Sequence, residues 1–354
     1  MADTPAYTVE ERLAERFDLL GRQMGLRADT TQVLRAWQTA VRARLRTLTG
    51  IDTMQGCPLE PELGASEQCD GFTRQHVSIA VEPGLRMPMY VLIPDGLQPG
   101  ERRAAVIAPH GHGGGGKESV AGVRRDPKIA DMLDHYHYDY GVQFARAGFI
   151  AFCPDGRGFG ERRERTMLPD NDVLGGSCRV INNMAIPLGQ TLTGMWTWDL
   201  MRLVDYIETR ADCDPRRIGC AGLSGGGLQT LWLSALDERI KCAGVSGYFY
   251  GYKESLLHLN TNCSCNYVPG LWSLVDIGDI GALIAGRPLI VESGSRDPLN
   301  GAPGLENVAS QLAITRKAYA VLCAEDHLAH TVFEGEHRWH GAEIIPWLQR
   351  WLVG

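Results

Sequence analysis

The sequence has no uninterrupted apolar run of the roughly 18 residues that a membrane-spanning helix requires. It has no excess of basic charge either: 35 Lys+Arg stand against 42 Asp+Glu, a net charge of −7. The basic footprint of a dedicated nucleic-acid binder is therefore missing. No internal repeat and no low-complexity segment occurs, which sets aside fibrous, solenoid and disordered classes. The opening stretch, MADTPAYTVEERLAERFDLL, is acidic and lacks an apolar core, so no signal peptide is expected there. Motifs for large cofactors are also lacking. Lys117 is followed by Glu118 rather than Ser or Thr, so there is no Walker A lysine. The run through Gly111, Gly113 and Gly116 matches a dinucleotide-type glycine pattern, yet no acidic residue follows at the strand end about 20 positions on. In GRGFGE the third glycine is replaced by Glu161. No cofactor is expected.

Ten cysteines are present: Cys57, Cys69, Cys153, Cys178, Cys213, Cys220, Cys242, Cys263, Cys265 and Cys323. They are scattered, and several lie in apolar, strand-like runs. A chain of 354 residues buries enough core to need no disulfides. Free thiols in a reducing cytoplasm are the expectation. Cys263 and Cys265 form a C-x-C pair with no second pair, and His110 and His112 lack a third ligand in sequence. No metal site is expected from these spacings.

What is abundant is glycine, with 42 residues, and its clusters follow apolar runs. Residues 8–24 and 29–47 predict two helices, with Leu13, Phe17 and Leu20 on one face of the first and Asp29 or Thr30 capping the second. The turn residues around 58–64 end this arm. Residues 74–82 and 86–94 alternate as an antiparallel pair. Short apolar runs at 104–108, 149–153, 218–221, 241–246, 288–293 and 329–333 then alternate with helical stretches. That alternation predicts an α/β fold with a mostly parallel sheet and helices on both faces. The domain reading is a helical arm over 1–50 and one catalytic domain over 51–354. Within it, 155–195 reads as a loop excursion over the site and 248–286 as an insertion near it.

Loops at the carboxyl ends of parallel strands carry the chemistry in such folds. Ser224, in Gly222-Leu223-Ser224-Gly225-Gly226, falls between a strand and a helix, where a tight turn lifts the hydroxyl above the sheet. Asp297 lies after the strand at 288–293, and His337 after the strand at 329–333. The chain order Ser, Asp, His suits a nucleophile, an acid and a base. His340 competes with His337 as base, and Glu292 lies where it could line the site or support the loop. The Gly225 N–H and the His112 N–H are the expected oxyanion donors, with Gly111 and Gly113 as alternatives to His112. Arg157, Trp272 and Tyr248 are the expected substrate-binding residues. For Arg157, the competing reading is a salt bridge that ties down its loop.

Six segments carry a resemblance to a known family. They are PHGHGGGGKE at 109–118, CPDGRGFGER at 153–162, GLSGGG at 222–227, CNYVPGLWSLVDIGDIGALIAGRPL at 265–289, VESGSRD at 291–297 and EGEHRWHG at 334–341. With their spacing they resemble the α/β-hydrolases, in the bacterial acetyl xylan esterase-like and dienelactone hydrolase-like branch. The resemblance implies a serine carboxylesterase that hydrolyses small or acetylated esters, including sugar esters, through an acyl-enzyme on Ser224, Asp297 and His337. Here Glu336 precedes His337, where relatives often have Gly-Gly. The runner-up activities are lactone or C–C hydrolysis, or peptidase or amidase chemistry, on the same fold. The other class is a non-catalytic binding protein, whose mark would be a broken triad. The partner expected is a small-molecule ester, with no nucleic acid and no membrane. In relatives the N-terminal arm packs on the core or contributes to a dimer, which leaves a homo-oligomer open.

Overall fold

The computed structural model describes residues 7–164 and 172–354. The first six residues of the arm, and 165–171 of the 155–195 excursion, lie outside the described residues. Nine strands form one sheet: β1 Glu62–Cys69, β2 Phe72–Glu82, β3 Leu85–Pro94, β4 Arg103–Ile107, β5 Ile150–Pro154, β6 Cys213–Leu223, β7 Ile240–Ser246, β8 Leu289–Gly294 and β9 Leu328–Phe333. Their spatial order is β1-β2-β3-β5-β4-β6-β7-β8-β9. β1, β2, β3 and β5 pair antiparallel. From β5 through β4 to β9 every pairing is parallel. The central strands are buried on both faces, which is why they read as continuous apolar runs.

β1 departs from the expectation of a turn at 58–64. Its residues are almost all exposed and only half are polar, so neither period nor hydrophobicity marks it as a strand. It exists because it pairs along β2. The helix Pro127–Tyr136, capped by Asp126, was likewise not anticipated.

Two apolar layers sandwich the sheet. One holds Ile79, Met89, Phe152, Trp196 and Trp232. The other holds Tyr140, Phe144, Trp339 and Leu348. The helix Thr31–Thr49 contributes Leu34, Val41 and Leu45 to the first. Burying such side chains stabilises by about 1.5–3 kcal/mol each. Gln38 shares that buried face, and its amide is satisfied by the Ala282 carbonyl at 3.0 Å. The Thr30 side chain accepts from the Val33 N–H, and Gly50 closes the helix at φ 79°. Arg22 pairs with buried Asp279 at 2.8 Å, tying the chain before this helix to the helix Ile277–Ala282.

Candidate active site

β6 ends at Leu223 and the helix Gly225–Leu236 begins one residue later, leaving Ser224 alone in the turn. Ser224 has φ 60° and ψ −119°. A non-glycine residue in that region stores about 1–3 kcal/mol of strain. The turn is held by Ser224 N–H donating to the Ser246 carbonyl at 2.9 Å and by Leu228 N–H donating to Ser224 at 2.9 Å. The glycines are needed for close approach. A Cβ on Gly226 would stand 2.1 Å from the Pro109 carbonyl oxygen, so the loop after β4 could not lie against the turn.

Asp297 and His337 come from the loops after β8 and β9. The His337 Nδ1 lies 2.7 Å from Asp297 Oδ2, and Asp297 Oδ1 accepts from Leu299 N–H. This bond assigns Nδ1 as the protonated nitrogen and leaves Nε2 as an acceptor. Glu292, on β8, is fully buried and accepts from Ser246 Oγ, His340 N–H and Gly341 N–H at 2.8, 3.1 and 2.8 Å. Of its two expected roles, it fills the support role: it anchors the loop that carries His337. Burial raises its pKa. The His340 ring stacks on Phe333, 4.9 Å between centroids.

A buried ion pair shapes the neighbouring loops. Asp155 accepts from Lys117 at both the backbone N–H and Nζ, each at 2.8 Å, and joins the loops after β4 and β5. His110 is buried beside them. Its Nε2 accepts from Gly156 N–H at 3.0 Å, and burial lowers its pKa, so the ring is neutral.

A cavity of about 360 Å³ opens over Ser224. Ser224, Gly225, His112, His337, Tyr248, Tyr250 and Cys263 are among its lining residues. Tyr248 donates to Asn266 Oδ1 at 2.6 Å. The Tyr250 hydroxyl is buried and has no hydrogen-bond partner. Two of the three expected substrate residues lie elsewhere. Arg157 is committed to Asp199 and Glu82 at 2.7 Å each, because a buried guanidinium must be paired. Trp272 lines a separate cavity of about 450 Å³ with Phe17 and Tyr267, which shares no lining residue with the Ser224 cavity.

The part of the cavity wall that carries His112 and Cys263 was not anticipated. His112 lies over the turn: a Cβ on Gly225 would stand 2.7 Å from its Nδ1. Its Nε2 faces three thiols, with Cys265 Sγ at 3.3 Å and Cys178 Sγ at 3.8 Å. The ligand atoms of His112, Cys178 and Cys263 all lie within 4.8 Å of one another. Cys178 opens the helix Cys178–Ala185, and the other two thiols flank Ser264 on a short turn. All three are free. Hydrogen bonding from Cys178 and then Cys265 lowers the pKa of Cys263. The thiol of Cys178 is raised by its bond to Cys263, and that of Cys265 by burial.

This cluster corrects the expectation of a serine carboxylesterase acting through an acyl-enzyme on a Ser224–Asp297–His337 triad. It puts cysteine and histidine chemistry on the wall of the cavity, where the sequence reading had placed only an oxyanion N–H. No hydrogen bond joins Ser224 Oγ to His337 among the described residues, although both line the same cavity. The sequence contains the C-x-C pair, but its partners lie far off in the chain, His112 on the loop after β4 and Cys178 at the start of a helix.

No family model matches the chain. It is 30% identical over 266 residues to YtaP of Bacillus subtilis (strain 168), assigned as a hydrolase, covering 70% of this chain and 78% of that protein. Among solved structures, one from Bacteroides fragilis NCTC 9343, assigned as an acetyl xylan esterase, superposes with a TM-score of 0.81 at 19% identity, covering 99% and 96% of the two chains. A glucuronoyl esterase from Solibacter usitatus superposes with a TM-score of 0.63 at 16% identity, covering 98% of each chain. No helix among the described residues is long and apolar enough to cross a membrane.

Proposed function

Since the chain belongs to the α/β-hydrolase superfamily, we propose that it opens a small lactone by direct addition of water, without an acyl-serine. The observation that carries this reading is the His112–Cys178–Cys263 cluster on the cavity that also holds His337. An acyl-enzyme route uses one histidine twice, first as base and then as acid. A lactone presents a different problem, because its leaving oxygen stays tethered and recloses the ring unless it is protonated at once. Two proton-handling walls answer it. His337, held by Asp297, takes a proton from water positioned by the Ser224 hydroxyl. The water oxygen adds to the ring carbonyl, whose oxygen is met by the Gly225 and His112 N–H groups. The C–O ring bond breaks, and its oxygen takes a proton that Cys263 relays from the protonated thiols Cys178 and Cys265. The proton held by His337 returns to that wall, and lactone plus water become the hydroxy acid. Tyr248 and the unpartnered Tyr250 hydroxyl support substrate placement. The free thiols support a reducing, cytoplasmic setting.

The test compares lactone turnover in wild type, S224A, H337A and C263S. The expected result is a loss in H337A and C263S of about 10²–10⁴-fold. S224A, which loses only the hydroxyl that positions the water, should fall less far than H337A and C263S. Trapping of a covalent acyl group on Ser224, together with an inactive S224A and an unaffected C263S, would overturn the reading.

A further inference from the structure

The thiol wall has the composition and spacing of a metal centre. We infer that His112 Nε2, Cys178 Sγ and Cys263 Sγ bind one borderline-soft divalent cation, zinc foremost, with the fourth position facing the cavity over Ser224. Two thiols and an imidazole form the donor set that zinc prefers among divalent cations. In a tetrahedral site with Zn–S near 2.3 Å and Zn–N near 2.0 Å, neighbouring ligand atoms stand about 3.5–3.8 Å apart. His112 Nε2 and Cys178 Sγ are 3.8 Å apart, and the three ligand atoms fall within 4.8 Å of one another. Closing on a cation therefore takes small side-chain movements. Cys265 Sγ, 3.3 Å from the same nitrogen, is a reserve ligand for the fourth position when no substrate is bound.

The site is built on held backbone. Asn182, on the helix that Cys178 opens, donates to the Ser264 carbonyl at 2.8 Å, which locks that helix to the turn bearing Cys263. Thr193 donates to the Cys265 carbonyl and Asn266 to the Cys263 carbonyl. Ligands held this way lose little freedom on binding, which favours affinity. The cation displaces the two thiol protons into solvent and leaves the imidazole neutral, so charge and atoms balance. Facing the cavity, it would stabilise the leaving ring oxygen in place of a thiol proton. That part rests on the proposed function; the binding itself rests only on the ligand set.

The experiment titrates reduced, metal-stripped full-length protein with Co²⁺ and then Zn²⁺. One Co²⁺ per chain is expected, with intense near-ultraviolet thiolate-to-cobalt absorption and visible bands of tetrahedral cobalt, both abolished by one equivalent of Zn²⁺. C178S, C263S and H112A should each weaken binding by at least about 100-fold, more than loss of an outer-shell partner costs. C323S, at an exposed thiol, should bind as wild type. Circular dichroism of each variant separates a lost ligand from a lost fold, and zinc-edge X-ray absorption of wild type reads sulfur and nitrogen neighbours directly. Absence of the thiolate band in folded wild type overturns the inference. So does binding unaffected by C178S and C263S together, or a Cys178–Cys263 disulfide with no metal in protein purified without reductant. Metal binding without lactone turnover would fail the proposed function alone, and turnover without metal would fail this inference alone.

Discussion

The side chain of His112 has Gly225 beside one ring nitrogen and Cys265 beside the other: a Cβ on Gly225 would meet Nδ1 at 2.7 Å, and the Cys265 sulfur lies 3.3 Å from Nε2. One imidazole thus joins the strained turn after β6 to the turn that carries Cys265, which lies 153 residues from His112 in sequence. Anything that moves the thiols moves the roof of the Ser224 cavity as well.

The Asp297–His337 pair gives a first prediction. D297N keeps the shape but replaces the negative acceptor with an amide that can present its NH₂ to the ring. The imidazole then loses its fixed tautomer. Turnover should fall about 10²–10⁴-fold with the melting temperature little changed. Steady-state kinetics beside a thermal melt will show it, and unaltered kcat would mean that His337 is not the base.

Asp199 gives a prediction about stability. It is buried between Arg157 and Arg162 at 2.7 Å each, and despite the opposing effect of burial those guanidinium groups hold its pKa below the ordinary value. D199N leaves two buried cations short of their partner and should cost about 3–5 kcal/mol. The sign of the pH effect follows. A depressed folded-state pKa stabilises above the unfolded value and stops doing so as pH falls through the folded one. The gap between wild type and D199N in denaturant melts should therefore be full at neutral pH and shrink below about pH 4. A gap that widens on acidification would contradict this assignment.

Gly226 tests the close approach of loop and turn. G226A would drive a methyl into the Pro109 carbonyl, 2.1 Å from the ideal Cβ position. Overpacking of this kind costs about 1–3 kcal/mol. Because the displaced loop carries His112, activity should fall further than stability alone accounts for. Chemical denaturation paired with kcat/KM separates the two effects.

Tyr250 separates binding from folding. Its hydroxyl is buried without a partner and lines the cavity. In Y250F no internal hydrogen bond is lost, so stability should hold or rise, by up to about 1–3 kcal/mol. If substrate is the missing partner, KM should rise about 10-fold with kcat nearly kept. An unchanged KM would remove Tyr250 from substrate contact.

Much of the sheet was legible because buried parallel strands read as short apolar runs punctuated by glycine. Ser224, Asp297 and His337 stood out because each follows such a run. β1 did not, since its residues face solvent and only pairing with β2 defines it. Trp272 looked like a pocket residue because an aromatic in an irregular stretch has no periodicity to say which cavity it faces. Arg157 was read both as a substrate contact and as a loop tie; burial decides for the tie. The thiol wall escaped for a simpler reason. Its members come from three separate stretches of chain, one of them the start of the helix Cys178–Ala185, and neither the Cys263–Cys265 pair nor the His110–His112 pair shows its third ligand in sequence.

β1 carries one more consequence. It occupies the edge of the sheet, and in its place β2 would present an open row of amides and carbonyls flanked by apolar side chains. β1 satisfies that row and turns outward Glu62, Ser66, Glu67 and Gln68. Two like molecules meeting edge to edge would have to desolvate these polar side chains for little apolar burial in return. The strand that adds nothing apolar to the core thus guards each copy of the sheet against extending into the next.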